Sequence, residues 1–152
     1  MKVVAQNKKA FHDYEILDKI EAGIVLSGDE VKSLRLGHAQ LKGAFAHIRK
    51  GEIYLVNAHI SAYARAYDKS RDDEYTTRNR KLLLSRREID RMIGDIARKG
   101  VSVVPLKIYF NKRAKVKVEL GICKGKKKAQ KREALKERDI KRQTDREMRD
   151  RG

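Results

Sequence analysis

Tryptophan is absent from this 152-residue chain, proline and cysteine occur once each, and six Tyr with three Phe make up only 6% of it. Each shortage excludes something. The lone Cys123 cannot close an intrachain disulfide, so a fold held by internal disulfide bridges is ruled out. No apolar run reaches the roughly 20 residues that a membrane-crossing helix needs. Met1-Lys2-Val3-Val4-Ala5-Gln6 has no long apolar core of the secretory kind, so a soluble cytoplasmic protein is expected. Metal ligation requires converging His, Cys or carboxylate groups, yet His12, His38, His47 and His59 are scattered. No G-x-S-x-G nucleophile elbow occurs, and Gly125-Lys126 lacks the upstream glycine and the following Ser or Thr of a phosphate loop. Asp72-Asp73-Glu74 would suit a carboxylate–metal nuclease only if another carboxylate joined it; a solvated loop among arginines is the better reading. The expectation is a protein with no enzymatic activity, no metal and no cofactor.

What is abundant is positive charge. The chain carries 38 Lys/Arg against 21 Asp/Glu, a net +17. Residues 123–152 hold 13 Lys/Arg against six Asp/Glu, so +7 sits on a fifth of the length. Such self-repulsion points to a polyanionic partner. A membrane surface is the weaker reading, because the basic tail lacks an apolar face. Single-strand binders use exposed rings as stacking platforms, and most of the few rings here read as core or cross-strand residues. That favours recognition of folded RNA by backbone and shape.

The patterning divides the chain into a β-rich body, residues 1–122, and a basic tail, residues 123–152. Tyr14, Ile16 and Ile20 to Leu26 read as one long strand or two joined strands, with Gly23 as a bulge or bend. Ser27-x-x-Glu30 and Ser85-x-x-Glu88 are capping boxes, predicting helices over about 29–36 and from 85 to a stop at Gly100. In the second, Ile89, Met92, Ile93 and Ile96 fall on one face. Residues 44–49 and 53–60 form a predicted hairpin turning at Lys50-Gly51-Glu52, and residues 101–110 and 115–122 a second, turning at 111–114. Residues 64–79 carry few aliphatic side chains and read as a long functional or mobile loop. Five or six strands with one sealing helix imply a small closed β-barrel. In the tail, Glu137–Lys141, Asp145–Arg149 and Glu147–Arg151 are acid–base pairs at i, i+4. The tail is expected to be disordered when free and helical when an anionic structure receives it.

Three basic features suit phosphate contact: Lys124, Lys126, Lys127 and Lys128 after the last strand; Arg78, Arg80 and Lys81 before Leu82-Leu83-Leu84; and Lys115 and Lys117 on the wet face of the last strand. At least two of the three leucines read as core.

The stretch Glu21-Ala-Gly-Ile-Val-Leu-Ser-Gly-Asp-Glu-Val-Lys-Ser-Leu-Arg-Leu-Gly37 resembles the SsrA-binding protein family, also called small protein B. Asn7-Lys8-Lys9-Ala10, His12-Asp13-Tyr14, Arg80-Lys81-Leu82-Leu83-Leu84, Lys99-Gly100, 105–110, Leu120-Gly121 and Lys124-Gly125-Lys126-Lys127 follow the same family in order. The resemblance implies an oligonucleotide-binding-like barrel that holds the tRNA-like end of transfer-messenger RNA and delivers it to stalled ribosomes. It further implies RNA-contacting or RNA-supporting roles for Asn7, Glu21, Leu83 and Lys117. Glu21 would accept hydrogen bonds from bases, Leu83 would meet an unstacked base, and Lys117 would meet a phosphate. The tail, with Lys131, Arg132, Lys136, Arg138, Lys141, Arg142 and Arg146, would enter the decoding region and mRNA path of the small ribosomal subunit. Elongation factor Tu and alanyl-tRNA synthetase would act on the same RNA, and the protein would be a monomer. Four positions depart from the family pattern: Gln130 for a usual Asp, Thr76 and Ala62 for prolines, and Ser85 for a histidine.

Overall fold

Both Ser-x-x-Glu boxes start helices, and both close reciprocally. The computed structural model describes residues 2–63 and 73–125. In chain order these form β1 (Lys2–Gln6), α1 (Lys8–Asp13), β2 (Tyr14–Ile24), α2 (Gly28–Arg35), β3 (Ala39–Gln40), β4 (Phe45–Arg49), β5 (Glu52–Val56) and β6 (His59–Ile60). After these come α3 (Asp73–Thr76), β7 (Arg80–Leu83), α4 (Arg86–Lys99), β8 (Ser102–Phe110) and β9 (Val116–Gly125). Ser27 Oγ accepts from the Glu30 amide at 3.2 Å while Glu30 Oε1 accepts from the Ser27 amide at 2.9 Å. Ser85 and Glu88 repeat the exchange at the start of α4. That helix stops at Gly100, in the left-handed region at φ 62°. Lys50 and Gly51, both at positive φ, make the two-residue turn that the twist of a hairpin prefers.

Seven strands form one sheet in the order β1-β8-β9-β2-β7-β5-β4, and β3 pairs with β6 separately. The fold is mainly β with helices. The closed barrel expected from the sequence is corrected: among the described residues the end strands β1 and β4 share no ladder. β4 instead lies against β8. The seam between them is a groove of 1040 Å³ lined by side chains including Phe45, Ile93, Ile96 and Val103. The expected one-face packing of α4 is corrected accordingly, for Ile89, Met92 and Asp95 are buried while Ile93 and Ile96 stay partly exposed at this groove. Two further expectations shift. β2 bulges at Leu17, between Ile16 and Asp18, and not at Gly23. β9 runs three residues past the expected boundary at 122 and ends at Gly125. The 53–60 segment is interrupted by Asn57 at φ 66°. Arg65, Asp72 and the residues between them, the Asp73 and Glu74 side chains, and everything from Lys126 onward lie outside the described residues.

The main core, around Leu34, Leu55, Leu82, Met92, Ile108 and Leu120, also encloses a charged side chain. Arg80 is 0% exposed. Its Nε donates to Glu30 Oε2 at 2.7 Å, Nη1 to the Ala58 carbonyl at 2.8 Å, and Nη2 to the Thr76 carbonyl at 2.8 Å. Longer contacts to the Arg78 and Tyr75 carbonyls complete the set. Arg78 Nη2 reaches Glu30 Oε1 at 2.5 Å. Burial pushes the Glu30 carboxyl up, but the Ser27 amide and the two guanidinium groups outweigh it and hold its pKa below 4.5. Burial lowers Arg80, with Glu30 opposing. A buried pair saturated with hydrogen bonds in this way is tolerated, whereas a half-broken one is not.

The pH dependence has a definite sign. Because the folded pKa of Glu30 is depressed, its stabilisation is present above the unfolded value and is lost as pH falls through the folded one. Urea melts from pH 7 to pH 3 should show this acid limb in the native chain and a flatter one in Glu30→Gln. At neutral pH, Arg80→Met, which leaves Glu30 buried with Arg78 alone, should cost about 3–5 kcal/mol. Equal melting of Arg80→Met and the native chain would disprove the structural role.

Candidate nucleic-acid interface

Strand parity separates the core from the candidate surface. Ala22, Leu82, Val118 and Ile108 point inward and are buried. Their neighbours Glu21, Gly23, Leu83, Lys117 and Tyr109 therefore share the opposite face. Gly23 pairs with Leu83 of β7 on one side and Lys117 of β9 on the other, and Lys117 pairs with Tyr109 of β8. Leu83, Gly23, Lys117 and Tyr109 thus stand in one row across four adjacent strands. Glu21 lies two residues along β2, beside Glu119 and on the same face. With strands about 4.8 Å apart, Leu83 and Lys117 are about 10 Å apart across the bare Gly23 backbone.

Gly23 is bare for a reason. A Cβ there would sit 3.2 Å from the Leu83 Cβ, so the leucine leans over the glycine. Leu83 is 51% exposed, while Leu82 is sealed in the core and Leu84 packs against it. Two of the three leucines are core, as expected, and the one left outside stands beside Val25, also exposed. A half-exposed leucine next to a lysine and a carboxylate can cover an unstacked base while charge and hydrogen bonding act at its edges.

Glu21 accepts a hydrogen bond from the Tyr109 hydroxyl. Tyr109 is buried, and burial first, then the carboxylate, raises its pKa far out of the physiological range, so it remains a donor. Lys107 Nζ lies 5.6 Å from the Tyr109 ring centre and 3.7 Å from Glu119. Lys117 forms no salt bridge among the described residues. Lys81 is exposed and only loosely paired with Glu52, at 3.8 Å. Lys115 and Lys124 are exposed on the turn and at the end of β9.

Two candidates are placed away from this face. Arg80 is corrected from an RNA contact to a core residue, since its guanidinium is buried and its donors are all engaged. Asn7 is buried too. Its Oδ1 caps α1 by accepting from the Ala10 amide at 3.2 Å, and its Nδ2 donates to the Pro105 carbonyl at 2.9 Å. This fixes α1 over a small outer cluster of Ala10, Val104, Leu106 and Cys123. The same cluster covers β9 from Gly121 onward, where a Cβ would lie 2.9 Å from the Leu106 side chain. Asn7 is thus a supporting residue, and β9 is half-buried at Lys117 and Glu119 and exposed again only at Lys124 and Gly125. Burial pushes the Cys123 thiol up to about 11. Among the described candidates only Asn7 lines the seam groove. Lys126, Lys127, Lys128 and the tail residues Lys131, Arg132, Lys136, Arg138, Lys141, Arg142 and Arg146 lie outside the described residues. No group of three or more His, Cys, Asp or Glu able to hold a metal occurs among those described, and no described helix is long and apolar enough to cross a membrane. Sequence reasoning passed over Tyr109 as a core ring, although it alternates with inward Ile108 and Phe110. That parity was the available signal.

The SmpB protein family model matches residues 4–150. The chain belongs to the SmpB family. It is 50% identical over 147 residues to the SsrA-binding protein of Coprothermobacter proteolyticus, covering 97% of each chain. It is 54% identical over 142 residues to that of Sulfurihydrogenibium sp., covering 93% of this chain and 91% of the other. Among solved structures, a chain described under "tmRNA-SmpB: a journey to the center of the bacterial ribosome" superposes with a TM-score of 0.67 at 45% identity. It covers 86% of this chain and 92% of that one.

The contact between Gly23 and Leu83 is directly testable. Gly23→Ala should keep the fold, with a stability change within about 1 kcal/mol, because exposed Leu83 can yield. Methyl NMR should show the Leu83 signals shifted. Unmoved Leu83 methyl resonances would rule the contact out.

Proposed function

We propose that this chain binds the tRNA-like domain of transfer-messenger RNA and delivers it to stalled ribosomes, so that incomplete proteins are tagged and the ribosomes are rescued. The observation that carries the reading is the convergence of Glu21, Leu83 and Lys117 on one outward face, in a chain half identical to SsrA-binding proteins. Lys117, Lys115, Lys81 and Lys124, with Lys126, Lys127 and Lys128, meet phosphates; Leu83 covers a base, and Glu21 accepts from donors that a phosphate lacks. Arg80 and Asn7 act from beneath, by holding β7 and α1 in place. The chain works in the cytoplasm, as a binding protein and not an enzyme. Its body resembles an oligonucleotide-binding fold with one unladdered seam.

The boundary between body and tail falls after Gly125, since a cut at 122 would strip Cys123 from the outer cluster. The tail enters the decoding region and mRNA path, where its acid–base pairs at i, i+4 support a helix. Elongation factor Tu and alanyl-tRNA synthetase act on the same RNA.

Competition binding near physiological salt tests this reading. Labelled transfer-messenger RNA acceptor domain should resist excess tRNA and unrelated duplex RNA; equal displacement by all would reduce the chain to a generic basic RNA binder. Lys117→Ala should flatten the log–log salt slope by ~0.7–0.9 for each phosphate that the lysine neutralises. An unchanged slope would remove Lys117 from the phosphate-binding set. Truncation after Gly125 should leave a folded body that binds RNA but does not support tagging, and full tagging by that fragment would refute the tail's role.

A further inference from the structure

Glu21 is an unusual group for a phosphate-binding face: a carboxylate on a +17 chain, within reach of lysines. An exposed carboxylate in such surroundings would ordinarily swing to a nearby ammonium, and two stand on this face, Lys19 two residues back along β2 and Lys117, paired with Gly23 two residues on. It does not do so. Its Oε2 is taken by the hydroxyl of Tyr109, whose backbone lies two strands away on β8, so the bridge passes over β9 between Lys117 and Glu119. The Tyr109 ring is 5% exposed and has Lys107 over it, so it has little freedom to follow a wandering partner. Two consequences follow from the geometry. Oε1 of exposed Glu21 is left as an acceptor with no hydrogen-bond donor among the described residues, and Lys117 has no salt-bridge partner among them.

We propose that Tyr109 is a positioning residue for RNA recognition: it holds Glu21 so that its second oxygen accepts from a base amino, base imino or ribose hydroxyl group. This rests on the reading that Glu21 takes part in RNA binding. The tyrosine touches no RNA. It separates two chemistries placed side by side on one face, an acceptor that selects hydrogen-bond donors and a cation that takes a phosphate.

Tyr109→Phe removes only the hydroxyl and keeps the buried ring. Binding of the acceptor domain should weaken by about 3- to 10-fold, the scale of one hydrogen bond, while the salt slope, which counts phosphates, stays as in the native chain. A purely structural role would not confine the loss in this way. In a double-mutant cycle, Tyr109→Phe should cause no further loss in a Glu21→Ala background. Full additivity, or native affinity in Tyr109→Phe, would overturn the proposal. Native affinity in Glu21→Ala is a different failure, for it removes the carboxylate from the interface and this inference with it. If Tyr109→Phe melts early, Glu21→Asp decides instead, because it keeps the charge but withdraws it by one methylene. It should bind as weakly as Glu21→Ala, and native affinity in Glu21→Asp would overturn positioning by Tyr109.

Discussion

The ion pair between Arg80 and Glu30 joins what the chain order keeps apart. Glu30 belongs to the first turn of α2 and closes its capping box, Arg80 opens β7, and the carbonyls of Ala58 and Thr76 supply the remaining acceptors. One guanidinium thus ties a helix start, the end of the β5–β6 segment and the return of the chain after residues 64–72. β7 is short, and its in-register partners on β2 are only Gly23 and Ile24. The anchored arginine, the buried Leu82 and the ladder to β5 together hold Leu83 against Gly23. Leu83 is exposed because its neighbour one position back, Leu82, is sealed in the core above that arginine.

On the outer face the same economy appears in a different form. RNA offers a uniform negative backbone and a varied set of base edges and hydroxyls. Lysines alone answer only the first. The face adds an apolar side chain, a bare backbone position and an oriented carboxylate, within the span of three strands. The +17 charge is spread broadly over the chain, whereas the positions of these few side chains are fixed by the ladder registers.

Much of the scaffold was legible in the sequence because it is written in local chemistry. The capping serines 27 and 85, the stop at Gly100 and the Lys50-Gly51 turn each act within a few residues, and each appears where the pattern placed it. What stayed hidden depends on distant partners. Arg80 read as surface because an arginine at an inward position makes sense only once Glu30 and two carbonyls are known to converge on it. Gly23 read as a bulge or bend, while its real function is to make room for Leu83, 60 residues away in sequence. Barrel closure failed for a related reason: alternation shows that strands exist but not whether the first and last meet. Glu21 and Leu83 were named from family likeness alone, and Lys117 from that likeness and from its place on the wet face of the last strand. Periodicity accounts for their shared face, yet would not have selected them from the many charged residues.

β9 has a consequence for mechanics. It carries Lys117 near one end and gives way to the tail at the other, after Gly125. Eight residues of extended chain separate the two points by about 26 Å, and the strand is clamped on both sides by β2 and β8. The end of the body at Gly125 is thus held at a set distance and bearing from Lys117. A tilt imposed at one end becomes a displacement at the other. In this sense β9 is a lever arm, stiff between its two ends.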